Sequence, residues 1–282
     1  MLGHKVWQAF EKRFDTWVTI RGSVELWQRL PFFNKEKVIE NIDAFSQESI
    51  TKALDRVQPE VVVNCIGIVK RLQESESPIP AIMINALLPH RLEELCKKSR
   101  IRLIHISTDC VFSGKGGNYK EEDLPDPYDL YGRTKLLGEV EGNSCLTLRT
   151  SMIGRELTRT AGLLEWFLSQ RSKTVQGYKN AVFTGFITSE LASILANIVA
   201  NHHGLQGLYH ISSHPINKYD LLYMIKTALD LEITIEEYEG VLIDRSLNSS
   251  KLREILDYDP PTWEDMIQRL SEEVWQYEEW RR

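Results

Sequence analysis

The sequence predicts an α/β fold, a doubly wound parallel sheet followed by a smaller C-terminal lobe. Two observations support this prediction. Residues 59–69, PEVVVNCIGIV, are a continuous apolar run after a proline, which is typical of a parallel strand buried on both faces. Residues 81–99, AIMINALLPHRLEELCKKS, then show helical spacing of apolar residues, and a second buried strand, IRLIHIS, follows. Strand, helix and strand in this order indicate a parallel sheet with helices on its faces.

The segments around this unit continue the same alternation. Upstream we expect a helix, two strands and a second helix, in the order GHKVWQAFEKRF, TWVTIR, KVIENIDAF and SQESITKALDRV. Downstream, a polar glycine-rich loop leads into a helix that carries Tyr131 and Lys135, and the strand SCLTLRTS follows. Residues 1–150 are therefore expected to form one sheet domain.

Beyond Thr150 the pattern is less regular and predicts a second lobe, residues 151–282. Its expected elements are helices at residues 162–169, 189–201, 250–256 and 262–274, a helix that begins at Lys218, and the strand GLYHIS. The sequence contains no internal repeat and no low-complexity linker, so this lobe is expected to interleave with the first domain.

Size, charge and cysteine usage exclude several classes of protein. With 282 residues, 42% of them hydrophobic, the chain can bury a core. A net charge of −6 argues against a nucleic-acid surface, because phosphate recognition normally requires clustered Lys and Arg. No apolar run is long enough to span a bilayer and no secretory signal opens the chain, so a cytoplasmic protein is expected. The four cysteines lack metal-ligand spacing, and no metal site is predicted.

The first residues of the sequence resemble the helix that normally follows the first strand of such a sheet. A doubly wound nucleotide-binding sheet starts with a central strand and a glycine-rich turn. The first residues, MLGHKVWQAF, already read as a helix, and Gly3 is interpreted as the last glycine of that turn. We expect Met1 to be an internal methionine of a longer reading frame, because loss of the central strand leaves its neighbours without a ladder partner. The alternative is that this helix begins the protein.

Tyr131 and Lys135 are four residues apart, which places both side chains on one face of the predicted helix. An ammonium group beside a phenol favours the phenolate, so Lys135 is expected to lower the pKa of Tyr131. The pair alone is a weak signal. Its context is stronger, because Ser107, Thr108 and Asp109 follow a strand at the edge where open α/β sheets bind ligands. A hydroxyl there can hydrogen-bond a substrate carbonyl, although Ser and Thr at strand ends also serve as turn and helix caps.

Three stretches, STDCVFSG, YGRTKLLGE and LRTS, together resemble the extended short-chain dehydrogenase/reductases, and within them the dTDP-4-dehydrorhamnose reductase-like branch. The resemblance runs from Gly3 to about Val274 and is most specific between Val61 and Ser151. It implies an NAD(P)-binding Rossmann domain in residues 1–150 and a substrate-binding lobe in residues 151–282. It also implies NAD(P)-dependent hydride transfer at a sugar carbon.

The same resemblance implies catalytic roles for four residues. Tyr131 is expected to donate the proton, Lys135 to hold the nicotinamide ribose and lower the tyrosine pKa, and Thr108 to polarise the keto oxygen. Asn85 resembles the asparagine that supports a proton relay in such enzymes, and the alternative interpretation is a polar residue in a helix interior.

Cofactor contacts follow from position in the family. The residues expected to contact the cofactor are Gly3, Arg21, Asp43, Ala44, Cys65, Ile66, Gly67, Tyr131 and Lys135. Arg21 ends TWVTIR, where an NAD-preferring sheet would place an acidic residue on the ribose 2′-hydroxyl. A guanidinium suits a 2′-phosphate, so NADPH is the favoured cofactor and NADH the alternative. A solvated arginine at a strand end is the other interpretation of Arg21.

The residues expected to contact the substrate are Thr108, Asp109, Met152 and Arg245. Arg245 lies in IDRSLNSSKL, which resembles the family's segment near the nucleotide diphosphate, and a surface arginine is the alternative interpretation. Two departures from the family concern this pocket. Related reductases carry a tryptophan shortly after RTS, where this chain has Met152, and an Asp-Gln then Pro-Thr segment, where it has GYKNAVFTGFITSELA. The resemblance therefore defines the chemistry better than the substrate.

The leading hypothesis is an NADPH-dependent reductase of a nucleotide-linked 4-keto-6-deoxy sugar, acting in cell-surface polysaccharide biosynthesis. Its expected partner is the nucleotide-sugar substrate, and a homodimer is a possible assembly. A nucleotide-sugar epimerase of the same family is a near alternative. The alternative from another class is a non-catalytic NADP-binding regulatory subunit, such as the reductase-like subunit that accompanies methionine adenosyltransferase, because the fold alone does not establish catalysis.

Overall fold

The computed structural model describes residues 1–27, 30–69, 77–157 and 161–281. The helices, in chain order, are α1 (Leu2–Phe10), α2 (Gln47–Val57), α3 (Pro78–Ala81), α4 (Leu88–Ser99), α5 (Leu130–Leu137), α6 (Leu163–Leu168), α7 (Thr188–Asn201), α8 (Lys218–Ala228), α9 (Ser250–Leu256) and α10 (Trp263–Arg281). A π-helical segment, Ile82–Leu87, joins α3 to α4. No helix of the described ranges combines the length and the apolar character that crossing a membrane requires.

The strands are short and most of them pair in parallel. In chain order they are β1 (Val18–Thr19), β2 (Val38–Ile39), β3 (Val61–Asn64), β4 (Arg102–Ile106), β5 (Cys145–Arg149), β6 (Met152–Ile153), β7 (Thr174–Tyr178), β8 (Ala181–Phe183), β9 (Phe186–Ile187), β10 (Gly207–His210), β11 (Ile216–Asn217), β12 (Thr234–Tyr238) and β13 (Ile243–Asp244).

The main sheet has four parallel strands in the order β10-β5-β4-β3. This arrangement confirms the predicted α/β class with a parallel sheet. β4 and β5 lie at its centre, and every residue of β5 is buried. The apolar run that contains β3 predicted burial on both faces, but Val61, Val62 and Val63 are only partly buried because β3 is the last strand of this sheet. β10 comes from beyond residue 150, so the sheet is completed by the second half of the chain.

β1 and β2 form a separate two-stranded parallel sheet, with Val18 opposite Val38. Both strands are shorter than the predicted TWVTIR and KVIENIDAF segments, since only two residues of each form the ladder. Within the described ranges, no strand pairs with the edge of β3 that faces away from β4. β1 and β2 therefore do not extend the main sheet, which in the described ranges ends at β3.

Alternation along β4 distributes its side chains between two cores. Ile104 and Ile106 contribute to the larger hydrophobic cluster, which includes residues of α1 and α7, whereas Leu103 contributes to the smaller cluster with residues of α2 and α4. Helices thus cover both faces of the main sheet, as a doubly wound fold requires. The carboxyl ends of β3, β4 and β5 remain at one edge of the sheet.

A backbone ladder joins the loop after β4 to the second half of the chain. Tyr119 N–H donates to Ser246 O at 2.9 Å, Asn248 N–H to Tyr119 O at 2.7 Å, and Asp244 N–H to Gly114 O at 2.8 Å. Gly114 has a φ of +89°, and a Cβ there would approach the Ile243 and Arg245 side chains. The loop that follows Thr108 is therefore fixed by residues 244–248.

Candidate active site

Thr108 begins a 3-10 turn, Asp109–Val111, directly after β4. Its backbone is extended, and its Oγ1 accepts a hydrogen bond from Cys110 N–H at 3.2 Å, so the side chain caps the turn. The same hydroxyl donates to Asp109 Oδ1 at 3.1 Å. Both side chains are buried, and the capping bond holds the Thr108 hydroxyl at the carboxyl edge of the sheet.

Tyr131 lies on the first turn of α5, and its phenol is close enough to Thr108 for the threonine hydroxyl to favour the phenolate and oppose a rise in the Tyr131 pKa. Asp129 caps this helix, because its side chain accepts from Gly132 N–H at 2.7 Å. Gly132 is required there, since a Cβ would collide with the Cys110 carbonyl oxygen. The cap and this close approach set Tyr131 against the turn that carries Thr108.

Lys135 lies on the same helix, and its buried Nζ donates to the Ile106 carbonyl oxygen at 2.7 Å. Burial lowers the pKa of Lys135 to about 8, and the nearby Glu139 carboxylate opposes that shift. Burial also raises the pKa of Tyr131, with Cys110 acting in the same direction and the Thr108 hydroxyl opposing it. The predicted lowering of the Tyr131 pKa is therefore wrong for this structure, because desolvation of the phenolate outweighs the stabilising contacts.

Asn85 is fully buried in the π-helical segment, and its side chain contacts a neighbouring loop. Its carboxamide accepts from Ile68 N–H at 2.9 Å and donates to Ile68 O at 3.0 Å. It also donates to Thr134 Oγ1 at 3.4 Å. The side chain thus fastens the segment after β3 to α5, and the proton-relay role of Asn85 stays a prediction.

The predicted cofactor residues fall into two groups. Gly3 faces Cys65, where a Cβ on Gly3 would lie 3.6 Å from the cysteine Cβ, and Gly67 lies against the Asn85 side chain. Ile66 between them is 41% exposed. Gly3 and Gly67 have no side chain, and Ile66 is partly exposed beside the carboxyl end of β3. A dinucleotide could therefore approach the main chain closely here, so these residues fit the predicted cofactor.

The second group lies around the β1–β2 pair. Arg21 follows β1 and is exposed. Asp43 is also exposed, and its carboxylate accepts from Phe45 N–H at 2.9 Å. Ala44 packs against the smaller hydrophobic cluster. The roles of these three residues toward adenine and the 2′-phosphate stay predictions.

Asp109 and Arg245, two of the predicted substrate residues, lie close together. Asp109 is buried, which raises its carboxyl pKa, and the charges of Arg245 and Lys218 oppose that shift. Arg245 Nε–H donates to Phe112 O at 2.8 Å, and its guanidinium lies 5.4 Å from the centre of the Tyr128 ring. Met152 is partly buried on β6, which pairs with β9.

Sequence reasoning missed an ion pair beside these residues. Arg149 binds Glu139 through two contacts, Nε to Oε1 at 2.8 Å and Nη2 to Oε2 at 2.7 Å, and both side chains are buried. Ser107 Oγ also donates to Glu139 Oε1 at 2.7 Å. YGRTKLLGE and LRTS contain a signal for this ion pair, because a buried charged residue at the end of a strand needs a partner of opposite charge.

A polar pair under the cofactor-side loop was also missed. Asn64 donates to His105 Nδ1 at 3.1 Å and accepts from Ile66 N–H at 3.0 Å. Both side chains are buried and stand on neighbouring strands in register. Their hydrogen bond links β4 to the loop that carries Cys65, Ile66 and Gly67.

A family model described as RmlD substrate binding domain matches residues 23–275. The chain belongs to this family. The dTDP-4-dehydrorhamnose reductase of Aggregatibacter actinomycetemcomitans is 24% identical over 254 residues, which cover 81% of this chain and 86% of that protein. Methionine adenosyltransferase 2 subunit beta of Danio rerio is 27% identical over 251 residues, covering 82% and 72%. The predicted family is thus confirmed.

Solved structures confirm the predicted fold. The dTDP-4-dehydrorhamnose reductase of Bacillus anthracis, determined in complex with NADP, superposes with a TM-score of 0.74. The match covers 90% of this chain and 96% of that chain at 18% identity.

Proposed function

We propose that the chain is an NADPH-dependent reductase that converts the keto group of a nucleotide-linked 4-keto-6-deoxy sugar to a hydroxyl, for a cell-surface polysaccharide. The observation that carries the proposal is that Tyr131 and Lys135 of α5 meet Thr108 at the carboxyl end of β4, where Lys135 Nζ donates to Ile106 O at 2.7 Å. Two hydroxyls at this edge, one of them a proton donor, match the needs of carbonyl reduction.

Thr108, Tyr131 and Lys135 have different roles in the proposed reduction. NADPH supplies the hydride that reaches the keto carbon. Thr108 and Tyr131 hydrogen-bond the keto oxygen, and Tyr131 transfers its proton to that oxygen as negative charge develops. Because burial raises the pKa of Tyr131, the phenol stays protonated at neutral pH and is ready to donate. Lys135 supports the phenolate that forms, since it is on the same face of α5.

The buried surroundings favour this division of roles. Thr108, Asp109 and Lys135 are each less than a tenth exposed, which limits competition from water. Asn85 holds the segment after β3 against α5, so the cofactor-side loop and the proton donor are fixed to the same helix. Preorganisation of this kind supports alignment of the reacting carbon with the cofactor.

The proposal is tested by mixing the protein with NADPH and a panel of keto sugars carried on dTDP, UDP and GDP, and following the loss of NADPH absorbance. We expect saturable oxidation with at least one of them and a sugar product that has gained a hydroxyl. Unchanged NADPH across the whole panel, with cofactor binding verified by fluorescence, would refute the proposal. Turnover of the sugar without net NADPH consumption would indicate the epimerase instead.

A second candidate is a non-catalytic NADP-binding regulatory subunit. It is supported by the similarity to the Danio rerio methionine adenosyltransferase subunit, which extends over 82% of this chain. This candidate predicts NADPH binding with no keto-sugar turnover, together with stable association with a methionine adenosyltransferase catalytic subunit in gel filtration.

A further inference from the structure

Tyr131, Lys135 and Glu139 follow one another at intervals of four residues along α5 and its C-terminal end. The last helical turn includes Glu139, because its N–H donates to Leu136 O at 3.1 Å. Side chains four residues apart lie on the same face of a helix. Glu139 therefore continues the face that carries the proposed proton donor and its lysine.

This helix face is attached to consecutive residues at the end of β4. Lys135 Nζ donates to Ile106 O at 2.7 Å, and Glu139 Oε1 accepts from Ser107 Oγ at 2.7 Å. Consecutive Cα atoms are about 3.8 Å apart, so the ammonium and the carboxylate bind neighbouring residues of one strand end. The residue that follows them is Thr108, which begins the turn after β4.

Arg149 fixes the Glu139 carboxylate from the neighbouring strand β5. Its Nε lies 2.8 Å from Oε1 and its Nη2 lies 2.7 Å from Oε2. Ser107 and Arg149 thus hold the carboxylate from both central strands of the main sheet. The two side chains of the ion pair are only 4% and 6% exposed, so water screens the Glu139 charge weakly.

Two other titratable side chains near Lys135 are neutral at pH 7. Burial lowers the pKa of His105 on β4 well below its ordinary range, with the Lys135 charge acting in the same direction. Burial raises the pKa of Tyr131. The further groups that act on the Tyr131 phenol and raise its pKa are Cys110, Asp109 and Asp129. Glu139 is the carboxylate that opposes the lowering of the Lys135 pKa by burial.

We propose that Glu139 is a positioning residue of the reduction, which acts as the fixed counter-charge of the Lys135 ammonium. The inference rests on the proposed function for the role of Lys135. A nearby carboxylate favours the charged form of an amine, and Ser107 and Arg149 prevent this one from turning away. Glu139 therefore widens the pH range in which Lys135 supports the phenolate formed from Tyr131.

The test measures the ionisation of Lys135 directly, so that it does not depend on turnover. The protein is labelled with ¹³C at the lysine ε carbons, their chemical shifts are followed against pH, and Lys135→Arg identifies the resonance by its loss. Glu139→Gln removes the counter-charge, whereas Arg149→Met breaks the same ion pair and keeps the carboxylate. Glu141→Gln, at an exposed position, is the control for net charge.

We expect the Lys135 midpoint in Glu139→Gln to lie about one pH unit below that of the parent, the usual effect of losing one nearby opposite charge. The alkaline decline of kcat should move to lower pH by the same interval. Arg149→Met should not lower the midpoint, because the carboxylate remains, and Glu141→Gln should match the parent. A merely structural role would give Glu139→Gln and Arg149→Met the same effect.

Circular dichroism and thermal unfolding verify that each variant is folded. The double variant of Glu139→Gln with Arg149→Met leaves no buried charge of this pair without a partner, so it replaces Glu139→Gln if the single variant does not fold. It should show the same lowered midpoint.

An unchanged Lys135 midpoint in Glu139→Gln or in the double variant would overturn the inference. So would an equal fall of the midpoint in Arg149→Met. A lowered midpoint with an unmoved decline of kcat would also overturn it, because the Lys135 charge would then not limit the reaction. If the midpoint falls in Glu139→Gln while no keto sugar is reduced by the parent, the counter-charge stands and the proposed reductase activity fails.

Discussion

Thr108 and Tyr131 lie beside each other where the carboxyl end of β4 meets α5, and the Thr108 hydroxyl opposes the rise that burial causes in the Tyr131 pKa. Thr108 also donates to Asp109 Oδ1 at 3.1 Å, so three polar side chains lie together at this end of the strand. The proton donor of the proposed reaction is thereby held on one side by a helix cap and on the other by a strand-end turn.

Replacing Tyr131 by Phe removes the proposed proton donor and keeps the ring. We expect Tyr131→Phe to lower kcat by about 10²- to 10⁴-fold, the usual contribution of a positioned acid, and to leave NADPH affinity close to that of the parent. The measurements are steady-state NADPH oxidation and NADPH fluorescence titration. Equal turnover in variant and parent would remove Tyr131 from the mechanism.

The reduction rate should fall as pH rises through about 8, where Lys135 loses its charge. Below that pKa the ammonium supports the phenolate formed from Tyr131, and above it the support is lost. The free energy of unfolding changes with pH in the opposite direction to the reduction rate. The pKa of Lys135 is lowered from 10.5 to about 8, so the unfolded chain binds more protons across this interval and stability rises with pH there.

The pH dependence is measured as kcat against pH, with thermal unfolding recorded at each point. We expect Lys135→Arg to reduce the substrate more slowly than the parent at neutral pH. Because arginine keeps its charge at higher pH, the rate of this variant should not decline over the pH range in which the parent's rate falls. A parent rate that stays flat well past the Lys135 pKa contradicts the assigned role.

Replacing Asn85 by Ala removes the partners of both Ile68 main-chain groups. We expect a loss of about 1–3 kcal/mol in the free energy of unfolding and a higher KM for NADPH, with a smaller effect on kcat. Asn201, which is exposed at the end of α7, provides the control variant Asn201→Ala. A large fall in kcat at unchanged NADPH KM would instead support the predicted proton relay.

Replacing Arg149 by Met leaves the Glu139 carboxylate buried without its cation. We expect a loss of about 3–5 kcal/mol in the free energy of unfolding, because an unpaired buried charge is strongly destabilising. Denaturant unfolding measures the change. The exposed pair Glu94–Lys98 is the control, and Glu94→Gln should unfold at the same denaturant concentration as the parent. A result for Arg149→Met equal to that control would contradict the structural role of the pair.

Arg21 is expected to select NADPH. Arg21→Ala should raise the KM for NADPH about tenfold or more while changing the KM for NADH little, because only NADPH carries the 2′-phosphate. Arg13, exposed after α1, supplies the control Arg13→Ala. An unchanged ratio of the two KM values would favour the interpretation of Arg21 as a solvated arginine.

The sequence predicted those parts of the fold whose pattern is local. β3 was predicted from a continuous apolar run, β4 and β5 from their place in the strand–helix alternation, and α4 from an apolar stripe that includes Leu88 and Leu92, all of which are patterns within a short segment. The β1 and β2 strands were overestimated, since only tertiary pairing decides how many residues of an extended segment join a ladder.

The site was less accessible to sequence reasoning. The Tyr131–Lys135 spacing predicted a shared helix face, but the pKa of Tyr131 depends on how completely the folded chain buries it. Asn85 contacts Ile68, 17 residues earlier, which no periodicity reports. Lys218 gave no signal at all, because its relation to Asp109 arises only when the two halves of the chain come together.

The ladder between residues 114–119 and residues 244–248 has a practical consequence for engineering. Exchanging the C-terminal half with that of a relative, in order to change the sugar accepted, would mismatch the hydrogen bonds that Tyr119 makes with Ser246 and Asn248. Such a chimera would disturb the turn that carries Thr108 even though no catalytic side chain had been altered. A functional hybrid should therefore transplant both segments of the ladder together.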